Sequence, residues 1–241
     1  MKKRKNKNGI HRFTVTFVLL LLAGIGYQTL RRQKQPSKAQ FINLKHLPQE
    51  FHSHGIDLSK YQNDIDWDVF FKQADTTISF IYCKATEGKS LVDSHYKKNT
   101  NELRKHQKKY GVYHFFVPST DAQKQAEHFL NNYTYEPGNL PPVLDVETQS
   151  IPDSVLIERM KIWLTIVEKE TGVRPIIYSS YHFYTTKFRN TFLSYQFWIA
   201  KYGSYVKELN DKRVIYWQYS DAGGIPGIDG PVDLNFSKRT F

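Results

Sequence analysis

Apolar residues in this chain gather in short runs that each end in polar residues, and between the first five runs the spacing changes to a helical one. The runs predict strands. They are "HGIDLS" from residue 54, "ISFIYCKA" from 78, "YGVYHFF" from 110, "PPVLDVE" from 141 and "RPIIYSS" from 174, followed by "FWIAKY", "VIYWQYS" and "VDLNFS". The stretches between the first five predict amphipathic helices: "DWDVFFKQA", "SHYKKNTNELRKHQKK", "DAQKQAEHFLNNY" and "PDSVLIERMKIWLTIVEKETG". Pro152 and Asp153 suit the start of the fourth helix and Gly172 its end. A repeated strand-helix pattern implies a parallel sheet, and eight strands suggest closure into a barrel. Little helix separates the last three strands, so the second half is expected to be irregular.

In such barrels chemistry sits at the C-terminal ends of the strands. Polar residues fall there repeatedly: Asp57, Glu87, His114 (with Phe116), Tyr178 and Ser179, Tyr202, Gln218 and Tyr219, with Asp233 and Asn235 on the last strand. The fourth run ends in Asp145 and Glu147. Side chains two apart on a strand share a face, so these carboxyls are expected to project together, with Cβ atoms roughly 6–7 Å apart. Carboxyls that close do not titrate alike. One stays ionised while the other's pKa rises, as general acid catalysis near neutral pH requires.

Charge changes the picture mainly at the N-terminus. Of 34 Lys and Arg residues, eleven precede the first acid, Glu50, leaving 23 bases against 23 acids in the remainder. The basic footprint of a nucleic-acid groove is therefore missing from residues 51–241, which are read as the folded domain. Residues 1–12 form a basic segment, and residues 13–30, "FTVTFVLLLLAGIGYQTL", carry no charge. They read as a transmembrane anchor or a signal segment. An uncleaved anchor is favoured because no A-x-A site is evident, and no Cys follows to accept a lipid. Residues 31–50, punctuated by Pro36 and Pro48, read as a linker. Cys83 is the only cysteine, which excludes an internal disulfide and predicts a small core residue.

Tyr61, Tyr113, Tyr178, Tyr202 and Trp217 are placed near the same rim. Aromatic faces beside carboxylates suit a sugar: rings pack on a pyranose while acids bind hydroxyls or donate a proton. A metal-dependent hydrolase is the rival for an acid cluster, but no His pair stands at zincin spacing. Neither a P-loop nor a Gly-x-Ser-x-Gly elbow is present. No metal or other cofactor is therefore expected.

The ordered motifs "HGIDLSKYQNDIDW", "FIYCKATEG", "GVYHFF", "PPVLDVE", "IIYSS", "FWIAKY", "YWQYSD" and "GIDGPVDLNF" resemble those of family 25 glycoside hydrolases, the Chalaropsis-type lysozymes or N-acetylmuramidases. The resemblance runs from about residue 53 to 238. It implies an α/β fold, an irregular flattened TIM-like (β/α)5(β)3 barrel, here preceded by an N-terminal hydrophobic helix. It also implies cleavage of the β-1,4 bond from N-acetylmuramic acid to N-acetylglucosamine in peptidoglycan. Glu147 resembles the family's proton donor. Asp145 is its partner, either stabilising an oxocarbenium or orienting the substrate's N-acetyl group, and Asp57 and Asp233 match two further acids of the cleft. Tyr61, Glu87, Tyr113, Tyr178, Tyr202, Trp217 and Gln218 are expected to bind the glycan. Asn63 departs from the family pattern, standing where glycine is common. The expected partners are glycan strands and, through residues 13–30, a membrane, with the monomeric domain on the extracytoplasmic side or secreted if the segment is cleaved. Two rivals remain: a glycan-binding or envelope-assembly protein without turnover, and a hydrolase of another aminosugar polymer.

Overall fold

The computed structural model describes residues 49–241. The basic segment, the apolar segment and nearly all of the linker expected from the sequence lie outside the described residues. Among the described residues no helix is long and apolar enough to cross a membrane.

Strand β1 (Ser53–Leu58) leads through helix α1 (Trp67–Gln73) to β2 (Phe80–Glu87), on which the two-residue β3 (Leu91–Val92) folds back. Helix α2 (Tyr96–Lys105), β4 (Tyr110–Phe115), α3 (Ala122–Asn132), β5 (Val143–Val146), α4 (Asp153–Thr171) and β6 (Ile176–Ser180) follow. A short helix α5 (Tyr181–Phe183) runs into a π-helical turn (Tyr184–Phe188), and β7 (Phe197–Ala200), β8 (Val214–Gly223) and β9 (Val232–Ser237) complete the chain. The helix starts have local causes: Asp66 and Asp121 accept the Val69 and Lys124 N–H groups at 3.0 and 2.8 Å. Gly172, at φ +70°, ends α4 in the left-handed conformation that glycine adopts without strain.

Around the barrel the order is β1, β2, β4, β5, β6, β7, β8, β9 and back to β1. All neighbours are parallel except β9, which is antiparallel to both β8 and β1. The β-α repeat alone predicts parallel pairing throughout. The loop from β8 to β9 holds no crossover helix, and a strand reached that way returns antiparallel.

Strand parity then sorts the core into two layers. Outward residues such as Ile56, Cys83, Leu144 and Ile177 pack under the helices. Inward residues Phe80, Tyr82, Ile176, Trp198 and Tyr216 fill the barrel, with Tyr82 and Trp198 ring centroids 5.0 Å apart. This aromatic plug is the floor on which the polar end is built. Cys83 is a core residue, as expected, and burial pushes its thiol pKa up, which keeps it protonated and unreactive.

Candidate active site

The inward parity that places Tyr82 in the plug places Lys84 above it, and the same rule lifts Asp57, Tyr113, Asp145, Tyr178, Gln218 and Asp233 to one rim. They line a cleft of about 340 Å³, with Glu147 just past the end of β5. Asp233 stands near the start of its strand, yet reaches this rim because β9 runs backwards. It is the register partner of Asp57.

The four acids form two facing pairs. Asp57 and Asp233 lie within hydrogen-bonding reach, as do Asp145 and Glu147. Burial is the main cause that raises the pKa of Asp57 well above the carboxylate range, with the Asp233 charge adding to it. Asp233 is pushed up to about 6, again chiefly by desolvation. Asp145, 5% exposed, is raised strongly by burial and then by the Glu147 charge. Glu147 is raised by desolvation too, while Asp145, Lys84 and Tyr178 pull it back. Glu147 is exposed at the mouth, so it is the acid of its pair that can touch a bound chain.

Tyr61 stands at the cleft edge, 75% exposed, on a 3-10 turn (Lys60–Gln62). That turn is held by Ser59, whose N–H donates to Gln62 Oε1 at 2.8 Å, and by the Lys60 N–H on Asp93 Oδ2 at 2.9 Å. Asn63, which ends the turn, sits at φ +52°, a conformation that accounts for glycine at this place in the family pattern. Tyr113 and Tyr178 line the cleft, and Tyr202 borders an adjoining hollow with Glu147. Gln218 lines the cleft as well, but its amide is occupied: Oε1 accepts the Tyr178 and Tyr202 hydroxyls at 2.8 and 3.1 Å, and Nε2 donates to Asp57.

One expected glycan contact, Trp217, is corrected, and another, Glu87, is engaged within the protein. Trp217 adjoins Gln218 on β8, so it faces the opposite side; it is fully buried under the barrel wall and donates its Nε1–H to the Lys201 carbonyl at 2.7 Å. Glu87 is not among the cleft's lining residues. A register shift between Lys84 and Thr86 turns it back onto Lys84, whose Nζ it holds at 2.7 Å. His114 likewise faces outward, stacked on Trp163 and bonded to Thr86 at 2.7 Å, with its pKa lowered to about 3 by burial. Sequence reasoning missed Lys84 and Trp198, both legible from parity, and gave no role to Asn235. Lys84 brings positive charge to the acids and lies over the Phe115 ring at 4.6 Å. Among the described residues no group of His, Cys, Asp and Glu fits a metal ion.

The family model of glycosyl hydrolases family 25 matches residues 56–228. The chain belongs to that family. It is 40% identical over 197 residues to the uncharacterized protein YegX of Escherichia coli (strain K12), covering 80% of this chain and 72% of that protein. It is 31% identical to the autolytic lysozyme of Clostridium acetobutylicum, over 75% of this chain and 54% of that one, so it spans about half of that relative. Among solved structures, a family 25 glycosyl hydrolase from Bacillus anthracis superposes with a TM-score of 0.73 at 26% identity, covering 81% and 93% of the two chains.

In this family 25 chain the acid cluster carries a stability cost with a definite sign. Asp233 binds its proton more tightly folded, at about 6, than at the ordinary 3.8, so stability falls as pH rises from about 4 to 6 and stays lowered above. Below pH 3 both states are protonated and the difference vanishes. Asp233→Asn cannot ionise. It is expected to be about 1–2 kcal/mol more stable than the wild type at pH 7.5, after allowance for partial exposure, and equal to it near pH 3. Thermal melts at the two pH values check this; equal melting temperatures at pH 7.5 would refute it.

Proposed function

We propose that this family 25 glycoside hydrolase is a peptidoglycan muramidase with Glu147 as its general acid. The observation that carries the reading is the Asp145–Glu147 pair at the end of β5, one acid buried and the other at the mouth, facing Asp57 and Asp233 across the cleft. The autolytic lysozyme among the relatives supports the substrate class. Glu147 gives its proton to the glycosidic oxygen as the bond from C1 breaks, and its carboxylate then takes a proton from the water that adds at C1. Asp145, buried beneath Glu147 and within hydrogen-bonding reach of it, is its partner, either stabilising the charge that develops at C1 or orienting the substrate's N-acetyl group. Tyr61 and Tyr113 supply sugar-facing surface.

The test is mass spectrometry of the reducing ends released from purified peptidoglycan. New muramic-acid ends are expected. New glucosamine ends would make the protein a hydrolase of the other bond, and bound glycan without new ends would make it a binder. Residues 13–30 are proposed as an anchor that holds the domain on the extracytoplasmic side, where peptidoglycan lies. The intact mass of protein recovered from membranes reads this directly, since a cleaved leader shortens the chain.

A further inference from the structure

Of the four cleft acids, Asp57 alone accepts side-chain amide hydrogen bonds among the described residues, and both fall on one oxygen. Gln218 Nε2 donates to Oδ2 at 3.0 Å and Asn235 Nδ2 donates to the same atom at 2.8 Å. Neither amide is free to turn. Trp198 Nε1–H, which can only donate, reaches Asn235 Oδ1 at 2.8 Å, so the amide nitrogen must face Asp57. The Tyr178 and Tyr202 hydroxyls both donate to Gln218 Oε1. A flip of either amide would set two acceptor oxygens against each other in a buried site.

We propose that Asn235 and Gln218 are positioning residues that clamp Oδ2 of Asp57, so that Oδ1 is the oxygen turned to Asp233 and the one that carries any proton the two acids share. Trp198, Tyr178 and Tyr202 act one step further out by holding the amides in the donating orientation. Asn235 is completely buried and is not among the cleft's lining residues, so it touches no substrate and acts from behind Asp57. The arrangement follows the rule that groups behind a reacting side chain fix its geometry. The other charged and titratable groups facing Asp57 are Asp233 on β9, Asp145 and Glu147 at β5, Lys84 on β2, Tyr113 on β4, Tyr178 on β6, Tyr202 after β7 and Asp221 on β8. None of them donates an N–H to Oδ2.

The experiment is an NMR pH titration of the full-length wild type and Asn235→Leu, following the Asp57 carboxyl carbon and the Asn235 and Gln218 side-chain amides, with kinetics on peptidoglycan alongside. In the wild type both amides are expected to shift in step with the Asp57 carboxyl. In Asn235→Leu the carboxyl midpoint is expected to rise, because a lost donor disfavours the carboxylate. Its kcat should fall about 10- to 100-fold with KM within about 3-fold, the size typical of losing a supporting contact behind an active group. A merely structural Asn235 predicts a lower melting temperature with an unchanged midpoint and kcat, and that result would overturn the proposal. Should Asn235→Leu fail to fold, the wild type still decides: amides that do not follow the Asp57 titration refute the clamp. Only the kinetic arm rests on the muramidase reading, so an inactive wild type with coupled amides would sink that reading and leave the clamp standing.

Discussion

Glu147→Gln is expected to lower the rate of peptidoglycan cleavage by about 10²- to 10⁴-fold, the usual range for a lost general acid, while the melting temperature moves by no more than about 2 °C. The amide has the shape of the carboxyl and keeps a donor for glycan hydroxyls, but has no proton to give to the leaving oxygen. Partial desolvation at the cleft mouth raises the Glu147 pKa, so the wild-type rate should fall as pH rises through that raised value, because the protonated form is the active one. The residual rate of the variant should lack this alkaline fall. Lys84 limits the effect in the wild type by favouring the ionised form. Reducing-end assays across pH, with glycan pull-down to show that binding survives, make the measurement. If the variant keeps more than about a tenth of the wild-type rate, the proton comes from another acid of the cluster.

The second large effect lies in the floor. Gly111 on β4 pairs with Tyr82 on β2, and a Cβ at Gly111 would stand 2.4 Å from Tyr82 Cε1 and 2.8 Å from Leu140 Cβ. Tyr82 has nowhere to swing: its hydroxyl donates to the Pro141 carbonyl at 3.1 Å, and its ring meets Trp198 and Tyr216 at centroid distances of 5.0 and 5.6 Å. Gly111→Ala is therefore expected to cost about 2–3 kcal/mol, the upper part of the range for overpacking a filled core. That corresponds to a fall of roughly 4–12 °C in melting temperature for a domain of this size. Activity should fall as well, since Trp198 carries any movement of the floor to Asn235. A loss under about 1 °C would mean that the plug yields more than its contacts imply.

Much of this was legible in the sequence, and the failures have physical causes. The eight barrel strands and four long helices follow from period-two and helical spacing. The acids were found because Asp145 and Glu147 are two apart and because Asp57 and Asp233 end up on neighbouring strands. Trp217 was chosen for its chemistry although parity sets it opposite Gln218, and the same parity, read through Phe80 and Tyr82, points Lys84 into the cleft. The bulge after Lys84 brings Glu87 back to the Lys84 side of β2, where that ammonium engages its carboxylate, and no residue in "KATE" announces it. The turn of helix over "YHFYTTKF" is rich in aromatic and β-branched residues with modest helix propensity, so it gives little signal before its packing is known. The direction of β9 depends on what its short loop omits rather than on the strand itself.

That closing strand also sets a time. Asp57 and Asn235 meet across a separation of 178 residues, and Asp233 belongs to the same six-residue strand. A nascent chain that has not yet released Val232–Ser237 from the ribosome has β1 and β8 unjoined, one acid absent, and Asp57 without its Asn235 bond. Such long-range pairing forms late and slowly. Unfinished translation products therefore carry an incomplete cleft, and the capacity to cut glycan is acquired only after the last strand has been synthesised and docked.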